Sequence, residues 1–171
     1  MHNRPEFIIN AYKDWASDNV KNEVIVPYVS MHGSTARMVS YFVDALIQRG
    51  LTVKQFELST VDIGKLAIAL VDVATIVLGS PTVLAGAHPC AAYAAFLVNA
   101  LRPKIKFASI IGSFGWGGRM VEQLTGLMPN IKAEILEPVV VKGHPKDEDF
   151  KALDRLADEI LAKHKELKIT N

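Results

Sequence analysis

Three short segments of this chain combine glycine with hydroxyl-bearing or aromatic residues, in a pattern typical of a phosphate site beside a flat-ring site. They read SMHGST from Ser30 to Thr35, GSPTVLAG from Gly79 to Gly86, and GSFGWGG from Gly112 to Gly118. Hydroxyl groups and unpaired backbone N–H groups bind phosphate, and aromatic side chains stack on planar heterocycles. Together the three segments predict a site for a phosphorylated, planar cofactor.

The first segment follows an apolar run and opens an amphipathic one, so we expect it to join a strand to a helix N-terminus. Such a terminus presents unpaired N–H groups and the positive end of the helix dipole. Ser30, Ser34 and Thr35 add hydroxyl donors, and Gly33 lets the backbone approach a ligand closely. No lysine follows the glycine, which excludes the phosphate loop of nucleotide triphosphatases. The alternative is a capped helix start without a ligand.

The second and third segments offer a place for a ring. In the second segment, Pro81 restricts the backbone of a turn and Gly86 gives it conformational freedom. Val83 and Leu84 would cover one face of a heterocycle. The alternative is an ordinary strand-to-helix connection. In the third segment Trp116 stands among glycines, outside any regular apolar period. A tryptophan that caps the sheet edge is the alternative there.

The elements that must position these segments follow from alternating apolar and amphipathic runs, repeated about five times. The predicted strands span 23–29, 51–58, 73–79, 106–112 and 133–141, and the predicted helices 34–49, 62–70, 88–101, 118–128 and 146–165. Repeated βα units form a doubly wound parallel α/β sheet, which binds ligands at the carboxyl ends of its strands. The three segments follow the first, third and fourth strands, and are therefore expected to meet at one edge.

Length and composition limit the classes of function. The 171 residues suit one domain, and the 19 basic and 18 acidic residues give a net charge of +1, which argues against a nucleic-acid binder. The single cysteine, Cys90, indicates a reducing compartment. The first fifteen residues lack the apolar core of a signal peptide, and the most apolar run is too short to span a bilayer. We therefore expect a cytoplasmic protein with no nucleic-acid or membrane partner.

We divide the chain into an N-terminal leader, residues 1–22, and one domain, residues 23–171. Between Pro5 and Ser17 the apolar residues recur at helical spacing, which predicts an extra helix packed on the domain. The end of a preceding domain, or a linker, is the alternative interpretation of the leader.

The quoted segments resemble the three FMN loops of the flavodoxin superfamily, and more narrowly those of the flavodoxin-like domain of flavodiiron (A-type flavoprotein) proteins. The leader PEFIINAYKDWA also resembles the segment that precedes that domain. The resemblance covers about Pro5 to Lys165. It implies a flavodoxin-like, five-stranded sheet of order 2-1-3-4-5 with helices on both faces. His32 and Phe114 depart from the tyrosines usual in that family, and Val83-Leu84-Ala85 replaces a more polar stretch.

The resemblance also implies a cofactor and its contacts. FMN would be held at its phosphate by Ser30, His32, Gly33, Ser34 and Thr35, at its ribityl chain and ring by Pro81, Thr82, Val83, Leu84 and Gly86, and beside the isoalloxazine by Ser113, Phe114, Gly115, Trp116 and Gly117. The function implied is electron transfer between a redox donor and an acceptor protein or domain, with a di-iron domain on another chain as one candidate acceptor. A homo-oligomer is a further expectation.

No metal site is expected within this chain, because none of its five histidines lies in a run with acidic residues at ligand spacing. We expect these histidines at the surface or in loops, with His88 structural at a helix start, and Cys90 packed as a small apolar residue. Two other functions stay open. One is an FMN-dependent quinone or nitro-group reductase of the same fold, and the other is an interaction module that has lost its flavin.

Overall fold

The structure is a computed structural model that describes residues 5–170. Its helices are α1 (Pro5–Ala16), α2 (Ser34–Gln48), α3 (Ile63–Ala69), α4 (Pro89–Leu101), α5 (Met120–Gly126) and α6 (Asp147–Glu166). Its strands are β1 (Lys21–Tyr28), β2 (Thr52–Glu57), β3 (Val73–Val83), β4 (Gly86–Ala87), β5 (Phe107–Phe114), β6 (Glu134–Ile135) and β7 (Val139–Lys142). No described helix has both the length and the apolar content needed to cross a membrane.

The main sheet is parallel, with the order β2-β1-β3-β5-β6 and with β7 also paired to β5. This order confirms the predicted 2-1-3-4-5 arrangement, but the strand count of five is wrong. The predicted last strand is split into β6 and β7, because Pro138 between them has no N–H for the ladder. At the break, the Ser109 hydroxyl donates to the carbonyl of Leu136 at 3.3 Å. The other additional strand, β4, begins at Gly86, the last residue of the second segment.

Two apolar layers cover the sheet, one on each face. Val24 and Val26 of β1 pack with residues of α2 and α6, whereas Ile25 packs with residues of α3, α4 and α5. The central strands are therefore buried on both faces, which explains their nearly unbroken apolar sequence. The edge strands β2 and β6 and the loops at the strand ends are more open to solvent.

The leader forms the predicted helix, but the prediction that its apolar face packs on the domain is wrong. No residue of α1 is buried, and Trp15 is 60% exposed. The helix is held at its C-terminal end instead, where Lys104 donates to the carbonyls of Asp14 and Ser17 at 3.2 and 3.1 Å. Lys104 also pairs with Asp72 at 3.1 Å, which ties the helix end to the start of β3. Residues 1–4 of the predicted leader lie outside the described residues.

His164 corrects the expectation that the histidines lie at the surface or in loops, because its side chain on α6 is fully buried. Its Nδ1 lies 2.8 Å from Asn22 Oδ1, and its Nε2 lies 2.7 Å from Thr75 Oγ1. Since an amide oxygen only accepts, Nδ1 carries the proton and Nε2 accepts from the threonine hydroxyl. The sequence contains a signal for this burial, because His164 follows Ile160 by four residues and so lies on the apolar face of α6.

Burial lowers the pKa of His164 from 6.5 to about 4, so the folded protein keeps this ring neutral in mildly acidic solution. The unfolded chain binds a proton there below about pH 6.5. Between the two values the unfolded state holds more protons, and the free energy of unfolding therefore falls as pH falls.

We predict that His164 alone removes about 2 kcal/mol of stability between pH 7.5 and pH 5. Urea unfolding at the two pH values, with His164→Gln as the comparison, measures this contribution. The variant should be less stable at pH 7.5 but should lose less stability on acidification. An equal loss in both proteins would show that His164 is not the group responsible.

Candidate cofactor site

The parallel register brings the three segments to one edge of the sheet. Tyr28 at the end of β1 pairs with Gly79, and Pro81 pairs with Ser113 on β5. Phe114 at the end of β5 pairs with Lys142 at the end of β7, so a fourth loop arrives at the same edge. The predicted meeting of the three segments is therefore observed.

A cavity of about 190 Å³ lies where the segments meet. Nine of the predicted site residues line it: Ser30, His32, Ser34, Thr35, Pro81, Thr82, Ser113, Phe114 and Gly115. Met31 and Gly143 complete the lining. The remaining six predicted residues do not line this cavity: Gly33, Val83, Leu84, Gly86, Trp116 and Gly117.

The first segment wraps the N-terminus of α2. Gly33 has a φ of +86°, a left-handed conformation that glycine adopts without strain. The Ser30 hydroxyl oxygen accepts from the backbone N–H groups of Gly33 and Ala36, both at 3.2 Å. Within residues 5–170 nothing accepts from the N–H groups of Ser34 and Thr35. Two unpaired donors at a helix N-terminus therefore border the cavity.

The side-chain hydroxyls of this loop are arranged by contacts to the other loops. Thr35 Oγ1 is buried and lies 3.2 Å from the hydroxyl of Ser113, which fixes the first segment against the third. Ser30 only accepts in the contacts described above, and its own O–H stays free to donate. The polar end of the cavity thus combines N–H and O–H donors from two loops.

The second segment is a tight β-hairpin, so the predicted end of the third strand at residue 79 is wrong. β3 continues to Val83 and pairs back with Gly86 at the start of β4. Leu84 and Ala85 form the tip with φ of +48° and +66°, at a cost of about 1–2 kcal/mol each for non-glycine residues. Two left-handed residues match the twist of a two-residue hairpin. The tip leaves the side chain of Leu84 completely exposed.

The third segment docks on this hairpin. The N–H of Arg119 donates to the carbonyl of Ala85 at 2.8 Å. A Cβ on Gly118 would lie 2.7 Å from Thr82 Cγ2 and 2.9 Å from the Ala85 carbonyl oxygen, so only glycine fits there. A Cβ on Gly117, one residue earlier, would have nothing within 4 Å. The position of the loop therefore depends on one glycine of the pair.

A second, less polar cavity of about 260 Å³ adjoins the first. Both cavities share Thr82 and Phe114 in their walls, and the second continues along residues 117–122 to Val140. Trp116 is 91% exposed beside this region. The pair of cavities provides a polar end and an apolar end within one continuous stretch of surface.

The N-terminus of helix α4 is hydrogen-bonded to the strand that leads into the hairpin. Its first turn is capped by His88, whose Nδ1 accepts from the N–H of Cys90 at 3.1 Å. The N–H of His88 donates to the Ser80 hydroxyl at 3.0 Å. The predicted structural role of His88 is confirmed, and the half-buried Cys90 packs against the adjoining apolar layer as expected.

The loop after β7 contributes site residues that sequence reasoning missed. Gly143 lines the smaller cavity, and its N–H donates to the carbonyl of Phe114 at 2.8 Å. The next residue, His144, places its Nδ1 2.9 Å from Ser34 Oγ. The available signal was a Gly-His pair directly after the last predicted strand, at the same edge as the other three loops.

The donors determine which ligands the site can take. Among the described residues, no lysine or arginine lines the smaller cavity, so an anion there would be held by backbone N–H, hydroxyl and imidazole groups. Short-range donors of this kind suit a phosphate that is fixed in one orientation. Residues 5–170 contain no group of three or more histidine, cysteine or acidic side chains placed to hold a metal ion.

Comparison with known proteins finds no matching family model, but it finds clear relatives. The nitric oxide reductase of Moorella thermoacetica is 31% identical over 161 residues, 93% of this chain and 40% of that protein. The structure of rubredoxin:oxygen oxidoreductase from Desulfovibrio gigas is 27% identical, with a TM-score of 0.88 over 94% of this chain and 40% of that one. A flavodoxin from the domain Archaea shares the fold, with 23% identity and a TM-score of 0.72 over 84% of this chain and 99% of its own.

The chain spans about 40% of the length of the curated relatives it matches. The match extends over nine-tenths of this chain, so it includes all three segments and the strands that carry them. In sequence and in fold, the chain is similar to the flavodoxin-like domain of flavodiiron proteins.

Proposed function

We propose that this chain is an FMN-binding electron-transfer module. The observation that carries the proposal is the pair of adjoining cavities, which share Thr82 and Phe114 in their walls. One end offers unpaired N–H and hydroxyl donors for a phosphate, and the other offers apolar and aromatic surface for a ring. FMN combines these two chemical features in one molecule, and it supplies the ability to accept and release electrons.

Different residues around the site would bind the phosphate and the ring of this cofactor. The amides of Ser34 and Thr35 and the hydroxyls of Ser30 and Ser34 are the donors for the phosphate. Trp116 and Leu84, both largely exposed on neighbouring loops, supply apolar surface that a ring would cover. The hairpin, Pro81 to Gly86, contributes backbone groups at the ring edge, and its docking with the third segment limits its motion.

The partners of this module are a redox donor and an acceptor protein or domain. Two of the relatives, named nitric oxide reductase and rubredoxin:oxygen oxidoreductase, are more than twice as long as this chain. The acceptor would therefore lie on a separate polypeptide or on another part of a longer protein, with a di-iron domain as the candidate we favour. We also propose a homo-oligomer, and a cytoplasmic location because the lone Cys90 suits a reducing compartment.

The visible absorption spectrum after incubation with FMN and desalting tests the proposal. We expect retained absorption of oxidised flavin at about one FMN per chain. A flat spectrum, with no quenching of FMN fluorescence on titration, would contradict it and favour an interaction module without flavin. Rapid oxidation of NADPH with a quinone, in the absence of any protein partner, would instead identify a self-contained reductase.

Gly118 and Gly117 provide a matched pair of variants for the docking of the third segment. Gly118→Ala forces the new methyl group against Thr82 and Ala85, so we expect FMN affinity to fall about tenfold. Gly117→Ala adds the same methyl group in open space, and its affinity should stay within about twofold of the original. Fluorescence titration with FMN measures both, and equal effects at the two positions would contradict this account of the loop.

Removal of the Ser34 hydroxyl should lower the affinity of the site for FMN but not for riboflavin, because riboflavin lacks the phosphate. For Ser34→Ala we expect about a tenfold loss in FMN affinity, the worth of one hydrogen bond to a charged group. Riboflavin affinity should change little, because the ring end of the site is untouched. A parallel loss for both ligands would show that Ser34 acts on the loop structure rather than on the phosphate.

A further inference from the structure

We propose that two copies of this chain form a two-fold dimer in which helix α1 of each copy packs antiparallel on the exposed face of helix α4 of the other. The inference rests on the homo-oligomer of the proposed function and gives it an interface, but it does not depend on flavin. It is carried by two apolar helix faces, one on α1 and one on α4, that nothing covers within residues 5–170.

Helix α1 has an apolar face that is largely exposed. Ile8, Tyr12 and Trp15 follow one another at spacings of four and three residues, so they lie on one side of the helix. All three are more than half exposed, and no residue of α1 is buried. A lone helix of this length is only marginally stable in water, because helices in proteins are stabilised mainly by packing of an apolar face. The face of α1 therefore requires a cover.

Helix α4 has an outer face that is unusually apolar for a helix in contact with solvent. None of its thirteen residues is charged, whereas α6, which packs on the opposite face of the sheet, carries acidic and basic residues along its length. Pro89, Tyr93, Phe96 and Ala100 form an exposed stripe at spacings of four, three and four residues. A helix that is apolar on all sides is normally buried on all sides. We therefore expect the stripe on α4 to face another protein surface.

The two faces are neighbours on one side of the domain. Trp15 near the end of α1 and Leu101 at the end of α4 line the same cavity of about 310 Å³, together with Val71. The two helices also match in length, because 12 and 13 residues at 1.5 Å per residue give about 18 and 20 Å. A two-fold axis through this side of the domain lets α1 of each copy lie along α4 of the other, so both faces are covered at once.

The exposed apolar area of this side approaches what a stable dimer needs. Five aromatic side chains on α1 and α4 are more than half exposed: Phe7, Tyr12, Trp15, Tyr93 and Phe96. Since an aromatic side chain can bury about 150–250 Å², these five supply roughly 500 Å². Ile8, Leu101 and Ile68 of the neighbouring α3 extend this area toward the ~800 Å² that each partner of a standard interface buries. Few monomeric proteins leave so large an apolar patch exposed.

The charges at the ends of the two faces favour a second copy as the occupant. Glu6 lies in the first turn of α1, and Arg102 follows the last residue of α4. In the antiparallel arrangement Glu6 of one copy meets Arg102 of the other, and the two-fold axis repeats this contact. Neither side chain forms an ion pair with another described residue. The chain is thus complementary to itself in charge as well as in apolar surface.

Sedimentation velocity of the full chain over a hundredfold range of concentration tests the interface. We expect a species of twice the chain mass of 18.7 kDa. Trp15→Glu and Phe96→Glu each place a carboxylate in the interface, so each should raise the dissociation constant of the dimer about a hundredfold. The matched control is Ile47→Glu, at a similarly exposed apolar residue on α2, and it should leave the dimer intact. Far-UV circular dichroism checks that each variant keeps its fold.

An exchange of charges tests the antiparallel arrangement. Glu6→Lys and Arg102→Glu should each weaken the dimer about tenfold, because each variant places like charges together at two symmetric contacts. The double variant, Glu6→Lys with Arg102→Glu, restores opposite charges and should recover affinity to within about threefold of the original. A double variant as weak as the two single variants, or weaker, would overturn the inference.

Two other outcomes would also overturn it. A chain that is monomeric at every concentration would assign the two faces to a different protein surface, such as a further domain of a longer polypeptide. A dimer that persists in both Trp15→Glu and Phe96→Glu would be formed through another face. FMN titration of the same samples keeps this inference separate from the flavin site, since FMN binding without a dimer would contradict only the interface. A dimer that binds no FMN would contradict only the electron-transfer module.

Discussion

The close approach of β1, β3 and β5 at their carboxyl ends is the constraint on which the site depends. A Cβ on Gly79 would lie 2.7 Å from Tyr28 Cβ, and a Cβ on Gly112 would lie 2.7 Å from the Ser80 carbonyl oxygen. Glycine at these two places lets three strands end side by side, with the loops that follow in contact. The Thr35 to Ser113 hydroxyl contact and the Arg119 to Ala85 hydrogen bond then fix the loops to one another.

The rest of the fold holds this edge in place, and its buried polar groups make no contact with the site. The two apolar layers bury the central strands, and buried polar groups such as His164 and Thr75 are paired with each other rather than with the site. The exposed apolar residues near the edge, Leu84 and Trp116, are carried by loops whose backbones are fixed. A site of this kind gains affinity because its donors are arranged before the ligand arrives.

Alternation of apolar and amphipathic runs was enough to predict a doubly wound parallel sheet and the edge where the segments meet, whereas the strand order was implied by the family resemblance. Local detail was lost where a single residue or tertiary contact overrides the pattern. Pro138 divides the last strand, and the hairpin at Leu84 and Ala85 needs left-handed backbone that neither residue type predicts. His164 and His144 were misjudged or missed because their roles come from partners more than 80 positions away in the chain. For α1, the spacing of apolar residues predicted the helix correctly but did not predict that its apolar face stays exposed.

The most direct test of this account is a crystal structure of the chain grown with FMN. The account predicts a phosphate within hydrogen-bonding distance of the Ser34 and Thr35 amides, and a ring that extends past Thr82 and Phe114 toward Trp116. A phosphate bound at another helix terminus, a ring on another face of the sheet, or an empty edge at saturating FMN would contradict it.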